Sequence, residues 1–267
     1  MTTNLAHCAA QESPQSTSEL PALAQADFNA LSRPEFARID KVINAQAMIT
    51  DEGDIIRLTG LDIPRPRRGE GDIAHRAKAF LDKHLTAKRV RLYATQDKKT
   101  GRTNRMGHLL RHVELRADNI WVQGALLYHG LARVRTTVNN PEMASQMYKR
   151  ERKARQNERG LWAMQTYKIL GPETAEQGIG AYQLVEGKVQ STAMRGNRIY
   201  LNFGKNWRSD LTVSIPPGNR RAFRRADIDP LSLGNETIRA RGWLESYNGP
   251  YMEITHPARL EILRNRQ

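Results

Sequence analysis

Hydrophobic and polar positions follow different periods along the chain, and the periods predict its elements. Ile39 to Ile49 and Asp54 to Leu61 read as strands, with a turn at Asp51-Glu52-Gly53 between them. Ile73, Ala77, Phe80, Leu81 and Leu85 then recur at helical spacing behind Asp72, which predicts a helix from Asp72 to Leu85. From Lys88 to Ala94, Val90, Leu92 and Ala94 alternate with Arg89, Arg91 and Tyr93, a strand pattern, and His108 to Leu115 predicts another. Trp121 to His129 fits a short helix stopped by Gly130, and Asn140 to Arg159 a long one ending at Gly160-Leu161-Trp162. After the aperiodic stretch Gly171 to Gly180 the strand pattern returns. Tyr182 to Gln190, Asn197 to Phe203, Asp210 to Ile215, Thr237 to Leu244 and Tyr251 to Thr255 are predicted strands, and Pro217 to Ala226 a short basic helix.

This order predicts a mainly β fold with α additions: an OB-type barrel with helices appended, then a second OB-like barrel of five strands with one helix after the third. The expected division is a disordered tail at 1–35, a first domain at 36–165, a linker at 166–181 and a second domain at 182–267. The tail is rich in Ser, Gln, Ala and Pro and slightly acidic, so the positive charge lies in the folded part. No close sequence repeat links the two halves.

Composition narrows the partners. The 267 residues carry 42 Lys and Arg against 28 Asp and Glu, a formal net charge of +14. Such an excess points to nucleic acid or another polyanion, to an anionic membrane surface, or to solubility alone. The single cysteine, Cys8, excludes an intrachain disulfide. No apolar run long enough for a transmembrane helix occurs. From the given start a cytoplasmic protein is expected. Leu5-Ala6-His7-Cys8 weakly resembles a lipoprotein cleavage box, which would mean a periplasmic protein or lipoprotein if the start were set elsewhere.

Several groups invite chemistry. Asp62 stands at a strand end closed by Pro64, beneath the cationic turn Arg65-Pro66-Arg67-Arg68, which is either an anion-handling site or an ordinary surface turn. His108 and His112 share a strand face, without the carboxylates or cysteines that complete a metal site. Lys149 to Arg155 and Arg159 make a basic helix, and Arg220, Arg221, Arg224 and Arg225 a second basic cluster. Tyr200, Trp207, Trp243, Tyr247 and Tyr251 are either stacking platforms for single-stranded nucleic acid or core residues.

Five segments in order carry a resemblance. They are Val42-Ile43-Asn44-Ala45-Gln46-Ala47, Arg57-Leu58-Thr59-Gly60-Leu61-Asp62-Ile63-Pro64, Asn104-Arg105-Met106-Gly107-His108-Leu109-Leu110, Trp121-Val122-Gln123 through Gly130-Leu131-Ala132-Arg133-Val134, and Glu151 to Trp162. Together they resemble the staphylococcal nuclease-like (thermonuclease) family over about residues 36–162. The second half, through Tyr200-Leu201-Asn202-Phe203-Gly204 and Arg241-Gly242-Trp243-Leu244, resembles the OB-like domain that some bacterial relatives carry after the nuclease domain.

The resemblance implies calcium-assisted phosphodiester hydrolysis, with two arginines on the phosphate, a glutamate as or beside the general base, and two aspartates on calcium. Arg57 matches the first phosphate-binding arginine and Asp62 one calcium aspartate. Asn44-Ala45-Gln46-Ala47 stands where the family has Asp-Gly-Asp-Thr, so the other aspartate is missing. The glutamate position falls on Arg65, which stays protonated and cannot take a proton from water. His108 matches the second arginine; an alignment on Gly101-Arg102 recovers an arginine but puts the next strand out of register. Arg57, Arg65, Arg67, Arg105 and His108 are therefore candidate phosphate contacts, with Arg57, Arg65 and His108 the catalytic candidates; Glu70 and Asp72 lie in the same loop as Arg65, but nothing in their spacing argues that either replaces the glutamate. Asp62 is a weak metal candidate, and calcium the cofactor only if the site is active. Three readings follow: a catalytically degenerate protein that binds nucleic acid or another polyanion, a divergent metal-dependent phosphodiesterase, and a protein-binding scaffold on a nuclease fold.

Overall fold

The computed structural model describes residues 26–64, 72–206 and 209–263. Arg65, Arg67, Glu70 and Trp207 lie outside these residues.

The first half is built from β1 (Glu35–Asn44), β2 (Ala47–Thr50), β3 (Ile55–Leu58), β4 (Leu61–Asp62), α1 (Ile73–Leu85), β5 (Arg89–Tyr93), β6 (Leu109–Leu115), β7 (Ile120–Trp121), α2 (Val122–Tyr128), β8 (Arg133–Val134) and α3 (Ala144–Gln156). The strands pair in the order β3-β2-β1-β5-β6, and a parallel pairing of β3 with β6 closes a five-stranded OB-like barrel. Ile39, Met48, Ile56, Val90 and Val113 fill its interior, each fully buried. The overall fold is mixed α/β.

The strand expected from Ile39 to Ile49 is a hairpin. Asn44 Oδ1 accepts the Gln46 backbone N–H at 2.9 Å, a local turn that competes with the ladder and folds β2 back on β1. Register shifts at Ile39/Lys41 and Val42/Asn44 bend β1 further, which disguises the break in a pattern read at period two. The helices fall close to expectation. Asp72 caps α1 by accepting the His75 N–H at 2.7 Å, and Ile73, Ala77, Leu81 and Leu85 face the core. The ends of α2 and α3 meet at Gly130 (φ +65°) and Gly160 (φ +56°), where a Cβ on either would strike the other segment's backbone.

The second half contains β9 (Ala181–Lys188), β10 (Ser191–Arg195), β11 (Arg198–Asn202), β12 (Thr212–Ile215), α4 (Arg220–Arg225), β13 (Thr237–Ser246), β14 (Pro250–Glu253) and β15 (Leu260–Ile262). They form one sheet in the order β10-β11-β12-β14-β13-β15, with β9 also on β13, and these pairings leave the sheet open. It has seven strands where five were expected. β10 was unforeseen because Ser191–Arg195 is largely polar; Gly196 (φ +52°) and Asn197 (φ +63°) supply the two left-handed residues of a tight hairpin turn.

The halves share a buried seam. Arg241 and Glu151 have no exposed side-chain surface and pair at 2.9 Å, and Arg241 also reaches Glu261 at 2.6 Å. The Tyr182 hydroxyl donates to the Val134 carbonyl at 3.0 Å, and the Tyr148 hydroxyl bonds the Ala258 carbonyl. Between the halves, Pro172–Gly178 forms a 3-10 helix whose Ala175 packs into the second core.

Candidate phosphate-binding site

Arg57 projects from β3 on the outer side of the barrel, between inward-facing Ile56 and Leu58. Its Nη2 donates to Gln46 Oε1 at 3.3 Å, so the β1–β2 turn and β3 bring together the two residues that match a phosphate arginine and a calcium aspartate of the family. The parallel pairing of Arg57 with Leu110 places His108, two residues earlier, toward the same side of the sheet. Asn104 shapes the turn ahead of it: its Oδ1 accepts the N–H groups of Met106 at 2.9 Å and His108 at 3.1 Å, and its amide lies 3.5 Å from His108 Nδ1. His108 is half-buried and Arg105 is exposed. Arg57 and Gln46 are thus in contact, while His108 stands two residues before Leu110, the residue paired with Arg57.

Asp62 belongs to a different arrangement. In the two-residue pairing of β4 with β8, Asp62 lies opposite Arg133. Its Oδ2 accepts from Arg133 Nε at 3.1 Å and Nη2 at 2.7 Å, and Oδ1 lies 3.7 Å from Arg135 Nη1. The Arg133 guanidinium is itself held near the rings of Tyr167 and Tyr182, at 5.2 and 5.3 Å. Sequence reasoning missed this partnership, because Arg133 is separated from Asp62 by more than half the domain and no local signal joins them.

These groups do not fit calcium. The ion takes six to eight oxygens, mostly from carboxylates. Here the Asp62 carboxylate is covered by two guanidiniums, and the Gln46 oxygen is turned to a third. Among the described residues no group of three or more His, Cys, Asp or Glu side chains is placed to hold a metal ion. Of the histidine pair expected on one face, His112 is buried, its Nδ1 accepting the Trp121 indole N–H at 3.3 Å, and His108 is half-buried at the turn before β6.

Other arginines near the barrel are committed to structure. Arg102, the alternative for the second phosphate arginine, donates to the carbonyls of Thr95 and Asp97, both at 3.1 Å. Arg111 pairs with Glu35 at 3.0 Å. The basic helix α3 is not a uniformly solvated face, since Glu151 and Ala154 are buried and Arg155 lies over the Trp162 ring at 5.7 Å. Arg65 and Arg67 lie outside the described residues. Among the described residues no helix is long and apolar enough to cross a membrane.

Comparison with known families agrees with this geometry. The profile for the family described as staphylococcal nuclease homologue matches residues 55–164. Residues 55–164 form a staphylococcal nuclease-like domain of the OB type, with β1 and β2 completing its barrel. The match ends before the second sheet. A search of curated proteins finds no significant match.

Proposed function

We propose that the protein is a catalytically degenerate thermonuclease-like protein that binds nucleic acid or another polyanion through phosphate contacts. The observation that carries this reading is the pairing at the barrel face: among the described residues Arg57 donates to the neutral Gln46, while the Asp62 carboxylate is bound by Arg133 and Arg135. A guanidinium beside a neutral amide retains its charge for a phosphate, which it can take bidentately. A carboxylate already bound by two guanidiniums has little left for a metal. At the family's glutamate position Arg65 offers no base, and loss of a general base alone costs about 10²–10⁴-fold in rate.

The reading extends to the organisation of the chain, with a tail at 1–35, the nuclease-like domain at 36–165, a linker at 166–181 and an OB-like domain at 182–267. For the last of these, the support lies in β9 and β10. Only Val189 and Gln190 separate them, so a single chain segment pairs with β13 at one end and β11 at the other.

Fluorescence anisotropy with labelled DNA and RNA across a salt series tests the function. The logarithm of affinity is expected to fall linearly with the logarithm of salt, and Arg57→Ala to weaken binding and reduce the slope by about one. Binding indifferent to salt, or calcium-dependent cleavage abolished by Arg57→Ala, would overturn it.

A further inference from the structure

The outer face of the second sheet carries a pocket that the nuclease-like barrel does not explain. Ala193 and Arg195 of β10, Tyr200 and Asn202 of β11, Thr212 of β12 and Tyr251 of β14 line it, together with Tyr247 and Asn248 from the β13–β14 turn. Its volume is about 370 Å³, within the roughly 300–1,000 Å³ of small-ligand sites. Strand alternation sets these side chains outward, opposite the buried Ile199, Leu201, Val213 and Met252.

The tyrosines are positioned. The Tyr251 hydroxyl lies 2.5 Å from Ser214 Oγ and accepts from Arg198 Nη1 at 3.1 Å, and Arg198 is in turn paired with Glu253 at 2.5 Å. With its hydroxyl held by Ser214 and Arg198, Tyr251 is fixed in place beside the pocket. Tyr247 stands edge-on to the Tyr251 ring, centroids 5.5 Å apart, and is 65% exposed, which leaves its ring open to a stacking partner. Cations adjoin the rings. Arg195 is exposed at the hairpin end, and the Asn197 side chain at the hairpin tip is 3.4 Å from Arg220 of α4, whose Arg221, Arg224 and Arg225 are exposed.

We propose that this face binds single-stranded nucleic acid, the bases entering the pocket to stack on Tyr247 and Tyr251 and the phosphates running past Arg195 and α4. Aromatic faces beside a cationic track are the combination that single strands require: each base offers a π-face and each linkage a negative charge. A duplex keeps its bases stacked internally and has no face to offer. The charge of the whole chain, +14, favours such a polyanion over a basic or neutral partner. The site does not depend on Arg57, which lies in the nuclease-like barrel.

The test is anisotropy with three probes: oligothymidylate of about 12 nucleotides, within the roughly 4–16 that one such domain spans, an abasic phosphodiester of equal length, and a duplex. Tyr247→Ala is expected to weaken oligothymidylate binding about 5- to 150-fold, to leave abasic and duplex binding unchanged, and to leave the circular dichroism spectrum intact. Tyr247→Phe, which keeps the ring, is expected to bind as the unaltered protein does. Equal affinity for the abasic and base-carrying strands, or oligothymidylate binding unmoved by Tyr247→Ala, would overturn the inference. Arg57→Ala run alongside separates the two sites. Loss in that variant alone sinks the tyrosine site and keeps the barrel site; loss in Tyr247→Ala alone does the reverse.

Discussion

His112 shows how burial at a single residue becomes a pH dependence. The Trp121 ring lies tilted against the imidazole at 5.7 Å, and Met147 covers Gly60 beside the ring. Burial pushes the His112 imidazole down to about 3, because the charged form finds no water there. An unfolded chain takes up the same proton near the ordinary value of about 6.5. This residue's contribution to stability is therefore complete above pH 6.5 and lost as pH falls from there toward 3, by about 1.4 kcal/mol per pH unit. Urea denaturation of the unaltered protein and of His112→Gln at intervals from pH 7 to 4 checks the sign: the variant should lose stability less steeply. The sequence showed His112 only as a possible companion of His108. Nothing local announced that one would be buried against an indole and the other left at a turn.

At the scale of elements, the two-residue strands β4 and β8 hold the clearest division between stability and binding. Asp62→Asn removes the charge that fixes Arg133 and Arg135 while keeping the side chain's shape. Hydrogen bonds to charged groups are worth about 1.5–3 kcal/mol each, so unfolding free energy should fall by about that much. Affinity for nucleic acid should stay unchanged when measured by anisotropy at fixed salt. A loss of binding with no loss of stability would place Asp62 in the ligand site instead. The regular elements were legible where packing obeys a single period, as in α1, whose buried Ile73, Ala77, Leu81 and Leu85 form one stripe behind the Asp72 cap. They were not legible where a turn resides in two residues. The Asn44 turn cuts one apparent strand into β1 and β2, and Gly196-Asn197 joins two strands where only the second has an apolar alternation. The candidate site was legible in the same partial way. Arg57 and its matches could be placed by order along the chain, but the engagement of Gln46 with Arg57 and of Asp62 with Arg133 arises only from the folded arrangement.

Across the whole molecule, the seam between the halves governs how the protein unfolds. Arg241 is fully buried between Glu151, which also accepts the Val134 N–H at 2.8 Å, and Glu261, and it lies 4.2 Å from the Tyr148 ring. The two carboxylates keep the buried guanidinium charged against the cost of burial. Arg241→Met would leave Glu151 without a counter-charge, at a cost of about 3–5 kcal/mol. Glu151→Gln added to it should recover part of that loss, since the amide oxygen still serves Val134. Thermal denaturation followed at two wavelengths is expected to show one transition for the unaltered protein and a lower, broader one for Arg241→Met. Coincident, unshifted transitions in both would mean that the pair contributes little to holding the halves.

The seam also decides what a salt titration measures. Exposed charges separated by water are screened within about 10 Å at 0.1 M salt, whereas an ion pair sealed from water is screened far less. Concentrated salt will weaken the hold of the surface arginines on the proposed polyanion while Arg241 and Glu151 remain joined. Affinity lost at high salt can then be assigned to the ligand's own contacts, because the two halves that present them have not moved apart.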